Sequence, residues 1–387
     1  MLAIKGEKIE TFSEKGTLVN GIILVKNGKI VEVGREVKIP SDAEIIEGKV
    51  VTPGLIDAHT HIGVLPLERT AEGFVETSDP LTPQLSVVDA LDPFDPAFND
   101  AAKGGITSVV VHPGSPMSYG QMVEPITIIP GRSAFVKING RIVKECIGIK
   151  MAVGEHPKRY LAELKLPPTT RMGIMAALRA ILEKTRKSME EKKLGSEDLR
   201  EIKIEEEPKI EALKGLLRKE YPARVHVHLA RDMMAVLRLA EEFNFDVVFE
   251  HATEAYIIAE ILAKKRIPVV FGPLLFSKRG PELTNLSAKT PEILEKAGVL
   301  FALTTDHPTI PIQYLRILAG VAEMEGLQNG LKTITLNAAK IAGVFNCVGS
   351  LEPGKDADIT VFSGDPTEAK SKVLYTIVDG KIVYRGD

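Results

Sequence analysis

The sequence predicts an α/β protein: a closed (β/α)8 barrel of the TIM type, carried on a small β-sandwich assembled from both chain ends. Three observations lead there. Short apolar strand-like runs alternate with amphipathic helical runs through the middle of the chain, as in a parallel sheet wrapped by helices. Such units number near eight, which favours a closed barrel over an open sheet. Both termini instead read as hairpins. The length of 387 residues suits one barrel plus a small second unit.

At the N-terminal end, LVNGIILVKNGKIVEVG breaks at Asn27-Gly28, a turn pair flanked by Val and Ile. EIIEGKVVTPG continues as strand. At the C-terminal end DADITVF is a strand, and KVLYTIVDGKIVYRGD is a hairpin around Asp379-Gly380. Residues 1–53 and 345–387 are therefore assigned to the composite β-sandwich and 54–344 to the barrel. Within the barrel, LIDAHTH, ITSVVVH, IGIKMAV, VHVHLA, DVVFEHA, IPVVFGP and VLFALTTDH are strand-like. RDMMAVLRLAEEF and EAYIIAEILAKK are amphipathic helices. A Lys/Glu-rich stretch at about 164–222 breaks the rhythm. It reads as an insertion of exposed helices with opposite charges at i,i+4 spacing.

Composition narrows the function. Lys+Arg is 49 and Asp+Glu 52, a net charge of −3 that offers no global field for nucleic acid or an anionic membrane. Two Cys give neither a disulfide framework nor a Cys-rich zinc site. No apolar run of spanning length or signal-peptide core occurs, so a cytoplasmic protein acting on a small molecule is the expectation, with a homo-oligomer as an option. No G-x-S-x-G elbow or strand-borne G-x-G-x-x-G supports a serine hydrolase or a dinucleotide site.

The chemistry lies in the histidines. His59 and His61 follow an apolar strand at i,i+2 spacing, so both face one side and can grip one ion. His226 and His228 form a second such pair, and His112, His251 and His307 fall at or just past other strand ends. Barrel active sites occupy that end. Asp306 follows the apolar run Val299 to Leu303. A carboxylate there needs a cation or a partner, and beside a divalent metal it is an ionised base; a helix N-cap is its plainer role. Lys150 sits mid-strand among apolar residues. A buried Lys is paired, deprotonated or modified, and a carbamylated Lys150 would bridge two metals. Glu155 is a rival oxygen ligand.

In this order the motifs resemble the amidohydrolase superfamily over essentially the whole chain. VTPGLIDAHTHIG at 52–63 is similar to its first-strand signature, and GGITSVVV to its second-strand segment. VHVHLA, FEHAT and TTDHP resemble its fifth-, sixth- and eighth-strand segments, and GSLEPGKDADITVF its C-terminal return. GIKMAVGEHPKRY resembles a segment, G-x-K-M-A-x-G-E-N-P-K-R, of imidazolonepropionase-related members. The resemblance implies the same barrel with a composite β-sandwich. It implies one or two divalent ions, zinc foremost, with iron, nickel or manganese as alternatives. It makes His59 and His61 ligands and His228 the fifth-strand ligand, with His226 the alternative. His251 becomes a second-metal ligand or substrate contact, and Asp306 ligand and general base. His112, His226 and His307 are substrate-contact candidates, and His156, in a loop after a strand like His307, is another. Arg132 and Arg231 are left outside the site. Arg231 stands where several relatives carry an acid/base Glu, which argues against deamination or imidazolone-ring opening. The expected reaction is hydrolysis of a C–N bond in a small amide, cyclic amide or peptide-like substrate by a metal-activated water. A non-catalytic binding protein on the same fold is the alternative of another class.

Overall fold

Alternation of β-branched and polar residues at both chain ends produces strands that need a shared partner. The computed structural model describes residues 1–65, 76, 78–114, 127–194, 206–278 and 280–386. The N-terminal strands are β1 (Leu2–Glu10), β2 (Thr17–Lys26), β3 (Lys29–Gly34) and β4 (Glu44–Pro53). Eight central strands follow: β5 (Leu55–Thr60), β6 (Ile106–Val111), β7 (Gly131–Lys137), β8 (Ile142–Ala152), β9 (Ala223–Val227), β10 (Val247–His251), β11 (Val269–Phe271) and β12 (Phe301–Leu303). The chain closes with β13 (Ile359–Phe362), β14 (Val373–Val378) and β15 (Lys381–Arg385).

The two termini build one seven-stranded sheet in the order β15-β14-β13-β4-β1-β2-β3. By strand pairing it is one continuous mixed sheet. Asn27-Gly28 and Asp379-Gly380 have positive φ at both positions, as the primed hairpin turns require. The two turns meet: Ala357 N donates to Gly28 O, and Gly380 N donates to Ala357 O. A side chain at Gly28 would stand 3.0 Å from the Asp379 carbonyl oxygen.

The central strands form an eight-stranded sheet in chain order from β5 to β12. It is nearly closed, by a parallel bridge between Thr60 and His307. It is not uniformly parallel. β7 runs antiparallel to both β6 and β8. The β7–β8 hairpin turns at Ile138–Arg141, where Gly140 has φ +83°. Val110, Phe135, Val248, Val270 and Ala302 form an apolar layer with Ala338, Ala339 and Ile341 of the helix Leu336–Ile341. Each of Val110, Val248 and Ala302 lies two residues before a polar residue of the site described below, and so shares its face.

The Lys/Glu-rich stretch contains the helices Arg171–Leu194 and Glu207–Leu217. Their apolar faces, with Ile174, Leu178, Leu182, Leu213 and Leu216, join the main core. Ion pairs within these helices are at i,i+3 spacing, Glu183 with Arg186 and Glu211 with Lys214. Residues 195–205 of the stretch lie outside the described residues. No described helix is long and apolar enough to cross a membrane.

A charged knot joins the two sheets. The fully buried Lys137 on β7 reaches Asp356 at 2.8 Å, Asp358 at 2.9 Å and Asp379 at 2.6 Å. Arg141 pairs with Asp356 and Asp379. Burial pulls the Asp356 carboxyl up, but hydrogen bonds from Lys137, Lys29 and Arg141 outweigh this and hold it at about 2. The stability Asp356 contributes is thus present above the unfolded value of 3.8 and is lost as pH falls through about 2. Lys137→Met leaves the buried Asp358 without its counter-charge, while Asp356 and Asp379 keep Arg141, and should cost about 3–5 kcal/mol. Urea unfolding at neutral pH checks this; a change within about 0.5 kcal/mol contradicts the role.

Candidate metal centre at the barrel mouth

Strand ends bring the site residues together. β5 delivers His59 and His61, β6 His112, β8 Lys150, β9 His226 and His228, β10 His251, and the segment after β12 Asp306 and His307; all are buried. The two carriers at the rim are bent into place by backbone the sequence does not advertise: His251 has φ +65° and Asp306 φ +52°.

Each histidine at the centre is oriented through Nδ1. His59 Nδ1 meets Glu250 Oε2 at 2.8 Å, His61 Nδ1 meets the His112 carbonyl at 2.9 Å, and His251 Nδ1 meets the Gly272 carbonyl at 2.9 Å. Nδ1–H donates in each case, which puts the lone pair on Nε2. His59 Nε2 and His61 Nε2 both stand 3.6 Å from Asp306 Oδ1. Lys150 Nζ lies 3.4 Å from His59 Nε2. Ligand atoms of His59, His251 and Asp306 all fall within 4.8 Å of one another. Burial, then the Lys150 charge and neighbouring imidazoles, holds His59 well below the ordinary histidine range. His112, His226 and His228 are lowered by burial in the same way. Neutral imidazole is the metal-binding form.

Asp306 carries the clearest sign of a cation. Its Oδ2 accepts from Thr309 Oγ1 at 3.0 Å, whereas Oδ1 is buried with no hydrogen-bond partner. An orphaned carboxylate oxygen facing two imidazole nitrogens is costly as it stands. A divalent ion between them answers that cost, so the donor set fits one.

Three polar residues behind the centre were not singled out by the sequence. Asp57 accepts hydrogen bonds from Thr304 Oγ1 at 2.6 Å and from the His59 amide at 3.3 Å, and also binds Thr305. It thereby clamps β5 to the segment that carries Asp306. Burial pushes its carboxyl up to about 6 against those hydrogen bonds. Glu250, which orients His59, is paired at 2.8 Å with the fully buried Arg224. Period-2 counting from His226 puts Arg224 on the same face of β9, and Glu250 immediately precedes His251, so both had a signal.

The remaining candidates separate. His112 packs against His59 with ring centroids 4.0 Å apart and planes tilted by 35°, and its Nδ1 is bonded to Ser133 Oγ at 2.6 Å. His307 uses its carbonyl to accept from His61 N and its Nδ1 to accept from Ile312 N. Burial brings its imidazole down to about 4. Glu155 is not an oxygen ligand of this centre: its carboxylate is held by Lys158 at 2.8 Å and Arg171 at 3.2 Å. Arg132 donates to the Gln84 carbonyl, and Arg231 is exposed. His226 and His228 both face the centre. His226 is 4.6 Å from His251 between ring centroids, and His228 is 5.3 Å away. His228 Nδ1 is bonded to Thr253 Oγ1 at 2.8 Å.

Comparison with known proteins agrees with this architecture. The profile described as "Amidohydrolase family" matches residues 207–384. A crystal structure of an amidohydrolase from Thermotoga maritima MSB8 is 38% identical and superposes with a TM-score of 0.90, covering all of both chains. The amidohydrolase tasK of Hapsidospora irregularis is 27% identical over 93% of this chain, which spans 39% of that protein's length. A dihydroorotase of Geobacter metallireducens is 26% identical, over 94% of this chain and 95% of that protein. With matching motifs, matching fold and a full-length relative at 38% identity, the chain belongs to the amidohydrolase superfamily, and the amidohydrolase-family homologues it matches are hydrolases acting on C–N bonds.

Proposed function

We propose that the protein is a metal-dependent hydrolase that cleaves the C–N bond of a small amide, cyclic amide or peptide-like substrate. The observation that carries this reading is Asp306 Oδ1, buried, without a hydrogen-bond partner, and equidistant from His59 and His61. In this reading His59, His61, His251 and Asp306 hold one divalent ion, zinc foremost. Lys150, as a carbamate, and His228 serve a second. When bound, the ion supplies Lewis-acid polarisation of a carbonyl and lowers the pKa of water.

The chain's own groups do the rest. Asp306 Oδ1 takes the proton of the attacking water and delivers it to the departing nitrogen. Thr309 holds the other carboxylate oxygen, so the same Oδ1 serves both transfers. Glu250 keeps the His59 Nδ1 proton in place, which fixes Nε2 toward the centre. Arg231, at the position where deaminating relatives carry a Glu, is exposed, so the H-x-x-E spacing supplies no carboxylate here. That favours amide hydrolysis over deamination.

Elemental analysis of protein purified without chelator, joined to a hydrolysis panel of N-acyl amino acids, dipeptides and cyclic amides, tests the proposal. About one equivalent supports the single-ion arrangement, and about two put a bridging role on Lys150, whose replacement by Met should then remove one. No ion after reconstitution, together with no hydrolysis, favours the non-catalytic reading.

A further inference from the structure

Beside the centre lies a second convergence of imidazoles. His156 opens the helix Glu155–Glu163 directly after β8. Its Nδ1 stands 3.0 Å from His226 Nε2. His228 completes the group: ring centroids are 5.2 Å from His156 and 4.9 Å from His226, and one ligand nitrogen from each of the three falls within 4.8 Å of the others. His228 is turned by Thr253 on Nδ1, which directs Nε2 to the group. Two neutral imidazoles meeting nitrogen to nitrogen satisfy one hydrogen bond at most, and the third adds another lone pair to the same space. Tetrahedral zinc at about 2.0–2.1 Å from each nitrogen spaces its ligands by about 3.3 Å, close to the observed approach.

The far side of His156 is also arranged for a ligand. Its Nε2 lies 3.9 Å from Glu282 Oε2. That oxygen is buried and has no hydrogen-bond partner, whereas Oε1 is taken by the Glu155 amide at 2.8 Å and by Arg171 at 3.3 Å. A carboxylate behind an imidazole, with the other ring nitrogen facing two more histidines, is the arrangement that orients a metal-binding histidine and raises its basicity.

We propose that His156, His226 and His228 form a three-histidine site for a borderline divalent cation such as Zn2+ or Co2+, with Glu282 as the positioning carboxylate of His156. This rests on the proposed function and deepens it: His156 and His226 join His228 as ligands of the second ion, and His226 becomes a metal ligand instead of a substrate contact. Nitrogen donors at that number select zinc, cobalt or nickel over magnesium or calcium.

Stripped full-length protein titrated with Co2+ tests it, by visible absorption and by counting bound metal. Wild type should take up two equivalents. His156→Asn should retain one and bind the second at least about tenfold more weakly, and Glu282→Gln should weaken the same equivalent by about 10–100-fold. Asp306→Asn should lose the other equivalent and keep the one held by the three histidines. Unchanged uptake and spectrum in His156→Asn, with one equivalent lost in Asp306→Asn, overturns the three-histidine site and leaves the proposed function standing. The reverse pattern overturns the proposed function and keeps the site. Should His156→Asn fail to fold, X-ray absorption of zinc in Asp306→Asn decides: three imidazole ligands support the site, and one or none overturns it. A wild type that binds no Co2+ overturns both.

Discussion

Asp306→Asn should abolish turnover, by about 10³-fold or more, while the barrel stays folded. The size follows from what Oδ1 is asked to do. It faces His59 and His61 at 3.6 Å, and in the proposed reaction it receives and returns the proton. Loss of a general acid/base alone costs about 10²–10⁴-fold. Losing an anionic ligand at the same time weakens the ion that it would help hold. The fold should survive for two local reasons. Asn tolerates the left-handed backbone found at this position, φ +52°. Its side-chain oxygen still accepts from Thr309 Oγ1. Thermal unfolding of the stripped variant should therefore match stripped wild type within a few degrees. Turnover is read on whichever amide of the panel the wild type cleaves, with bound metal counted in parallel. Undiminished turnover in a folded variant removes Asp306 from the mechanism.

What the sequence discloses about this protein follows the range of the forces involved. Turn chemistry is local, so Asn27-Gly28 and Asp379-Gly380 announce their hairpins, and the structure gives both the positive φ they require. Period 2 is nearly as local, and it places His59 with His61 on one face without knowledge of any other strand. The β7–β8 hairpin carries a comparable turn pair, Asn139-Gly140, yet the rhythm of β and α units concealed it. Its strand includes Lys137, a charge that reads as solvated and is buried only because Asp356, Asp358 and Asp379 come to it from more than two hundred residues away. Arg224 and Glu250 each carry a local signal, but their pairing is hidden for the same reason. A charge in a barrel strand looks misplaced until the register of β9 and β10, which pairs His226 with Glu250, brings the two into contact. The apolar faces of the helices Arg171–Leu194 and Glu207–Leu217 were masked by their Lys and Glu content. His156 reads as a loop histidine because its partners arrive from the next strand.

Glu250→Gln should destabilise the protein by about 3–5 kcal/mol and weaken metal binding by about 10–100-fold, through two separable routes. The first is charge. Arg224 is fully buried, its Nη2 lies 2.8 Å from Glu250, and its Nε and Nη1 have no hydrogen-bond partner. A neutral Gln of the same shape leaves that guanidinium without compensation. The second route is orientation. Glu250 Oε2 accepts from His59 Nδ1 at 2.8 Å, and a carboxylate there makes Nε2 a better donor to the ion than an amide does. A double variant tells them apart. Arg224→Met with Glu250→Gln removes the uncompensated charge, so most of the stability should return, while metal affinity should stay low because His59 still lacks its carboxylate. Urea unfolding of stripped protein reads the first effect, and competition with a chromophoric chelator reads the second. If the single variant loses stability and the double variant recovers metal affinity as well, Glu250 serves only to neutralise Arg224, and the carboxylate behind His59 has no part in holding the ion.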